Sequence, residues 1–296
     1  MNIPLDNIRQ ALSETRYCLP FELALAEGNL DMTANDEGNL ANVVMISYGG
    51  NRQVVKYCED RREEFRLETF LYHTLAAKGI NVPEVITSME KDGLALLIYE
   101  YLPGQGLINV PISIELIRQV SMQIDRLSET LDSLALQDNL LSVFLADSMP
   151  IKTALHHMYK KRYGEKLAYQ IQDAIEQDIP SVKESIVSDR SPMNAIYGGQ
   201  DIYFIDFNFV MRGPLYADKI LFFQDPRTQV EPDCILIDDD HHKAAILMNL
   251  YMAPLKIQDY GIDFGMKLLQ NAERSTNELG AVKVKRAIEA VKESLS

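Results

Sequence analysis

The chain has 296 residues, 47% of them hydrophobic and 24% charged, which allows one large domain or two modest ones and argues against global disorder. Its 43 acidic residues outnumber 29 basic ones, for a formal charge of −14; this disfavours a nucleic-acid partner, since phosphate-backbone binding needs clustered basic groups, and it suits either a cationic small substrate or solubility alone. Three scattered cysteines (Cys18, Cys58 and Cys234) form no C-x-x-C pair or disulfide framework, no apolar run is long enough for a bilayer, and the first residues lack a signal-peptide pattern, so a cytoplasmic protein without membrane attachment is expected.

The first hundred residues read as strands with one helix. Asn42 to Tyr48 and Gln53 to Tyr57 are β-prone and joined by Gly49-Gly50-Asn51, which predicts a hairpin. A helix is expected from about Arg61 to Lys78, with Phe65, Leu71, Tyr72 and Leu75 on one face, Gly79 to close it and Pro83 to prevent its restart. Glu68 lies on that same apolar face, where a carboxylate is costly unless paired. Two more strands, Glu84 to Met89 and Leu94 to Tyr99, turn at Lys91-Asp92-Gly93.

Leu102-Pro103-Gly104-Gln105-Gly106 then breaks the pattern. The expected division is one lobe over 1–102 and a second over 103–296. The second part is mainly helical: Ile114 to Ser133, Pro150 to Lys161, Gly164 to Gln177, His241 to Met252, Ile262 to Ala272 and Thr276 to Ser294. One strand island interrupts it, with Ser185 to Val187, Ala195 to Tyr197 and Ile202 to Ile205; the last two are joined by the turn Gly198-Gly199-Gln200-Asp201. The fold class expected is α+β, a two-lobed arrangement of a small antiparallel-sheet lobe with one helix and a larger helical lobe.

The strand island carries the chemistry. Asp189 ends one strand, Asn194 follows five positions later, and Asp206 ends the returning strand before Phe207. Hairpin pairing is expected to gather Asn194 and Asp206, with Asp189 beside them. This set suits phosphoryl transfer from ATP. Magnesium takes hard oxygen ligands, which Asn194 and Asp206 supply, while Asp189 accepts the proton of the attacking hydroxyl. The protein-kinase pattern has the same order, and also asks for a strand lysine and a helix glutamate. Lys56 in Val54-Val55-Lys56 and Glu68 fill those places, so Lys56 is expected on the α- and β-phosphates with Glu68 holding its ammonium. Glu100-Tyr101-Leu102 sits where a hinge backbone bonds adenine, and Gly38-Asn39 is the available phosphate loop, without a G-x-G-x-x-G.

From about Gly38 to Phe223 the sequence resembles the aminoglycoside phosphotransferase and choline kinase family. The likeness is carried by Leu67-Glu68 through Val82-Pro83, by Asp189 through Pro192 with Asn194, and by Ile205-Asp206-Phe207 followed by Gly213-Pro214-Leu215-Tyr216-Ala217-Asp218. The resemblance implies a protein-kinase-like two-lobed fold, with 1–102 as the nucleotide-binding lobe and 103–296 as the catalytic and acceptor-binding lobe, and an ATP- and magnesium-dependent kinase acting on a small-molecule hydroxyl, with Asp218 bracing the catalytic loop. It also implies a histidine where Val187 stands. That departure and the sparse glycine loop motivate the alternative of a pseudokinase, a nucleotide-binding or scaffold protein without turnover.

Simpler readings exist for each piece. Asp189 and Asn194 suit a turn, Lys56 a solvated strand face, and Glu68 a local pairing with Arg61 or Arg62. Asp238-Asp239-Asp240-His241-His242 reads first as a helix N-terminus and only second as a metal site.

Overall fold

The computed structural model describes residues 8, 10, 12, 31–34, 43–58, 62–91, 93–146, 148–207, 209–228, 230 and 235–295. By its contacts the chain divides into two compact units, Met1–Gly104 with Gly198–Asn208, and Gln105–Tyr197 with Phe209–Ser296. The segment Gly198–Asn208, which the sequence reading carried with the second part, thus groups with the first.

The first unit is built on a five-stranded antiparallel sheet. Its strands are β1 (Asp31–Ala34), β2 (Val43–Tyr48), β3 (Asn51–Cys58), β4 (Val85–Lys91) and β5 (Leu94–Glu100), in the spatial order β1-β2-β3-β5-β4. The two-residue turn at Gly49 and Gly50 has both residues at positive φ (54° and 84°), which glycine adopts without steric cost and which matches the strand twist. Side-chain alternation sets the faces. Val44, Ile46, Val55, Tyr57, Leu96 and Ile98 form one apolar cluster with Ile8 and Leu12, so Lys56, between Val55 and Tyr57, points to the other face.

Helix α1 (Arg62–Ala77) packs on β4 and β5. Phe65, Leu71, Tyr72 and Leu75 are all buried, as their spacing predicts. Glu63 and Glu64 lie in its first turn, where the helix dipole favours acids. Gly79 ends it at φ 72°, with Gly79 N–H donating to Ala76 O (2.9 Å) and Ile80 N–H to Leu75 O (3.0 Å). This paired closure satisfies two carbonyls that the helix end leaves open.

The second unit contains β6 (Gln105–Gly106), α2 (Ile114–Gln137), α3 (Asn139–Ala146), α4 (Ile151–Tyr163), α5 (Glu165–Asp178), β7 (Glu184–Val187) and β8 (Ala195–Tyr197). After β9 (Ile202–Phe204), which falls in the first unit, come β10 (Met211–Pro214), α6 (Ala217–Phe223), α7 (Asp239–Tyr260), α8 (Ile262–Leu279) and α9 (Val282–Leu295). Residues of α4, α5, α7, α8 and α9 share one large apolar core, which also takes in Val187 and Met211 from the antiparallel pair β7–β10.

Two departures from the expected elements have physical causes. α7 was expected to end at Met252 but continues through Pro254 to Tyr260. Pro254 has no N–H for Leu250 O, and the Tyr159 hydroxyl donates to that carbonyl instead at 2.9 Å. The break expected between Ala272 and Thr276 falls at Gly280 (φ 66°), where Ala281 N–H donates to Thr276 O (2.9 Å). The strands β1, β6 and β10 and the helices α3 and α6 were not anticipated. No helix among the described residues is long and apolar enough to cross a membrane.

Candidate active site

The first unit places a buried cation between two carboxylates. Lys56 Nζ donates to Glu68 Oε1 and Oε2 at 2.9 and 2.8 Å and to Asp206 Oδ1 at 2.7 Å. Glu68 is fully buried, Lys56 is 14% exposed and Asp206 38%. Antiparallel pairing with Val43 and Leu97 fixes Lys56 in the sheet, and the helical face of α1 brings Glu68 to it. The carboxylate that lay unexplained on an apolar face therefore has its partner.

The electrostatics follow from that packing. Burial alone would lower the Lys56 pKa, but the charges of Glu68 and Asp206 outweigh it, so the ammonium stays protonated throughout the neutral range. For Glu68, burial pushes the pKa up, Lys56 pulls it down, and Asp206 adds to the rise; the direction is upward. Burial raises both Tyr72 and Tyr99, with Glu68 adding to the rise, and at Tyr99 the Lys56 charge opposes it.

Asp206 is held by its backbone as well as its side chain. Its N–H donates to the Tyr72 hydroxyl at 2.9 Å, and the next N–H, of Phe207, donates to Glu68 Oε1 at 3.2 Å. Tyr72 stacks on Tyr99 and meets Phe207 edge-on, with centroids 5.8 and 5.4 Å apart. Tyr72 was legible as a core residue of α1, but its hydroxyl's role as acceptor was not, because that needs the returning segment beside it. Asp206 adopts φ 63°. A non-glycine residue there costs about 1–2 kcal/mol, which the surrounding contacts must offset.

The second unit holds the other acids. Asp189 also takes a left-handed conformation, φ 52°. The Asn194 amide Nδ2 donates to Asp189 O at 2.7 Å, which closes the loop between them and directs the amide oxygen elsewhere. Asp218 lies beneath this loop. It accepts from Ser188 N and Oγ and from Arg190 N at 3.0–3.1 Å. Burial raises the Asp218 pKa, opposed by the Arg190 charge and these hydrogen bonds. Arg190 is itself fully buried, its guanidinium turned back to Ser188 O. Asp132 of α2 fastens the preceding strand, accepting from Ser185 Oγ (2.8 Å) and Ile186 N (2.7 Å). The roles of Arg190 and Asp132 carried no motif in the sequence.

Val187, where the resemblance implied histidine, is a core residue. It pairs with Met211 across β7–β10, and its Cγ2 leaves no room for a Cβ at Gly213 (2.5 Å).

The remaining sequence-predicted positions are more dispersed. Glu100 ends β5, where its N–H donates to Glu84 O (3.0 Å) and its Oε1 accepts from Glu84 N (3.0 Å). Leu102 is buried two residues on. Gly38, Asn39 and Arg61 lie outside the described residues, as does the side chain of Arg62. Asp238 caps α7 by accepting from His241 N at 3.0 Å, the helix-start reading of that acidic stretch.

Residues 31–233 match the phosphotransferase enzyme family. The chain belongs to that family. It is a phosphotransferase of the class acting on hydroxyl groups of small molecules. Solved structures share its protein-kinase-like fold at low identity. The amicoumacin kinase hAmiN, in complex with AMP-PNP, Ca2+ and Ami, is 13% identical over 94% of this chain and 94% of its own, with a TM-score of 0.59. The choline kinase LicA from Streptococcus pneumoniae is 13% identical over 94% of this chain and 99% of its own, TM-score 0.54. A thermostable mutant of aminoglycoside phosphotransferase APH(4)-Ia, in ternary complex with ADP and hygromycin B, is 16% identical over 91% and 98%, TM-score 0.53. No curated protein matches this phosphotransferase.

Proposed function

We propose that the protein is an ATP- and magnesium-dependent kinase that transfers the γ-phosphate to a hydroxyl of a small metabolite or antibiotic. The observation that carries this reading is the buried Lys56, held by Glu68 and reaching Asp206 across 150 residues of sequence. Solved relatives by fold hold ADP with hygromycin B, or AMP-PNP with Ca2+ and Ami, which supports a nucleotide and a small acceptor here.

In this reading Lys56 neutralises the α- and β-phosphates, and Glu68 keeps its ammonium from drifting. The segment Glu100 to Leu102 meets the adenine, and Gly38 with Asn39 covers the phosphates. The donor set fits a hard divalent ion. Asp206 offers a partly exposed carboxylate, and Asn194, with its Nδ2 engaged by Asp189 O, offers an amide oxygen. Magnesium, when bound with ATP, screens the charge on the β- and γ-phosphates.

Asp189 orients the acceptor hydroxyl and takes its proton as the oxygen attacks. The new O–P bond forms while the bridging bond to ADP breaks and its electron pair leaves with ADP. Little covalent work falls to the protein, so positioning and charge neutralisation account for the rate. Asp218 acts at one remove, through Ser188 and Arg190, to hold the loop that carries Asp189.

The test is ATP-dependent mass gain across a panel of hydroxyl compounds, run on wild type, Asp189→Ala and Asp206→Ala. The reading expects turnover by wild type and a fall of at least a hundredfold in both variants. Equal turnover by all three would defeat it.

A further inference from the structure

The loop from Asp189 to Asn194 is gripped at one end by Asp218, which accepts from the N–H groups of Ser188 and Arg190. Toward its other end the bonds run within the loop. Ser191 N–H donates to Asp189 O (2.9 Å), Asn194 N–H to Ser191 O (2.9 Å) and Asn194 Nδ2 to Asp189 O (2.7 Å). The short helical turn Pro192–Asn194 packs on Leu107–Asn109. Bonds within a loop fix its shape but not its place on the helices behind it. A hold from outside is found at Met193, the residue before Asn194.

Arg227 supplies that hold. Its Nη1 donates to Met193 Sδ at 3.0 Å, and the Tyr260 hydroxyl donates to the same sulfur at 3.6 Å. A thioether is a weak acceptor on a flexible side chain, so a mobile donor would not settle it. Here the donor is an ion whose own place is fixed several times over. The turn Asp225-Pro226-Arg227-Thr228 follows α6, with Thr228 N–H donating to Asp225 O (3.0 Å) and Arg227 N–H to Asp225 Oδ1 (2.9 Å). Arg227 Nε and Nη2 reach the two oxygens of the buried Asp225 carboxylate at 2.8 and 2.5 Å. The guanidinium lies over Tyr260 and Phe264, 4.6 and 5.5 Å from their centroids, and those rings stack on each other at 4.9 Å. The fork leaves Nη1, the nitrogen aimed at Met193.

Resting on the proposed kinase reading, we infer that Arg227 is a positioning residue that, through Met193, anchors the Asn194 end of the Asp189–Asn194 loop to the helical body. It acts on the chemistry only through the loop. One short stretch of chain then carries both supports. Asp218, in the first turn of α6, holds the loop at Ser188 and Arg190, and Arg227, just past the end of α6, holds it at Met193. Six of the seven residues of α6 are buried, so the helix is a fixed spacer between them.

Two substitutions remove the contact from opposite sides. Arg227→Lys keeps a cation beside buried Asp225 but has neither fork nor flat face. Met193→Leu keeps the bulk and removes the sulfur. Thermal melts check that both variants are folded. Methyl NMR on the whole protein labelled with 13C-methyl methionine reads the motion of the Met193 methyl, assigned by its loss in Met193→Leu. That methyl is expected to be ordered in wild type and to lose order in Arg227→Lys. Turnover is then compared with Mg-ATP and an acceptor from the hydroxyl panel. Each single variant is expected to lose about tenfold or more in kcat, with the acceptor KM within about threefold. The double variant should lose no more than the worse single one, because both remove one contact. Unchanged methyl order in folded Arg227→Lys, wild-type kcat in either variant, or losses that multiply in the double variant would each overturn the inference. So would a raised acceptor KM at unchanged kcat, which would make Arg227 an acceptor contact. If Arg227→Lys does not fold, the kcat of Met193→Leu decides alone. Arg227-dependent methyl order in a protein whose wild type turns over no compound would leave the hold on Met193 standing and count against the kinase reading alone.

Discussion

Glu68→Gln is the substitution for which the structure allows the closest reasoning. The side chain is fully buried and its two oxygens accept three hydrogen bonds, two from Lys56 and one from Phe207 N. Glutamine keeps the shape but replaces one oxygen with an NH2 group that faces an ammonium. Removing one partner of a buried ion pair costs about 3–5 kcal/mol when the other charge is left alone. Here Asp206 still holds Lys56 at 2.7 Å, so the loss is smaller. One charge-assisted bond replaced by a donor clash gives about 2–4 kcal/mol. On the proposed kinase reading the ammonium then swings toward Asp206 and off the phosphates, and a displacement of this kind is expected to lower kcat/KM for Mg-ATP by about a hundredfold. Urea unfolding and steady-state kinetics on the same preparations measure both effects. Arg66→Ala is the control, because Arg66 pairs with Glu63 and Glu90 in solvent and is expected to change neither. A Glu68→Gln protein with wild-type unfolding midpoint and kcat/KM within twofold would show that the pair does not organise the site.

Further outcomes follow from other contacts. Asp218→Ala leaves Ser188 and Arg190 donors buried without their acceptor, and thermal melting should report a loss of about 3–5 kcal/mol together with a fall in kcat. Gly213→Ala drives a Cβ to 2.5 Å from Val187 Cγ2 and should cost about 1–3 kcal/mol by denaturant titration, with Val187→Ala in the same chain restoring part of it. Asp238→Ala removes the cap of α7 and should cost about 1 kcal/mol in thermal melts, leaving turnover unchanged. Asp240 hydrogen-bonds Lys183, which holds its pKa below the ordinary value. Its contribution is therefore present above the unfolded pKa and lost as pH falls through the folded one, so Lys183→Met should flatten the acid limb of the stability curve below about pH 4.

Much of the first unit was legible because its signals are local. The β2–β3 turn needs glycine at both positions, the α1 face repeats every three or four residues, and Gly79 with Pro83 marks the helix end. Lys56 and Glu68 were legible for another reason: a carboxylate on a buried face demands a partner, and the sequence offers few. What escaped notice depended on distant chain. The end of α7 was expected at Met252, and its continuation through Pro254 was hidden because the hydroxyl that takes up the freed Leu250 carbonyl, that of Tyr159, lies ninety-one residues before Leu250. Helix α6 has seven residues, six of them buried, so no polar face gave it a period. In β10, Gly213 and Pro214 signal a break, and only pairing with Ser185 and Glu184 makes that stretch a strand. Asp132 and Arg190 bear on the loop through contacts that no spacing rule encodes.

Calorimetric titration of ATP, with magnesium and with a chelator, into wild type and Lys56→Met tests the core of this account most directly. Wild type should bind Mg-ATP and lose affinity on chelation, and a folded Lys56→Met protein should bind it at least tenfold more weakly. Equal affinity in the two proteins would contradict the assignment of the Lys56–Glu68–Asp206 cluster to the nucleotide.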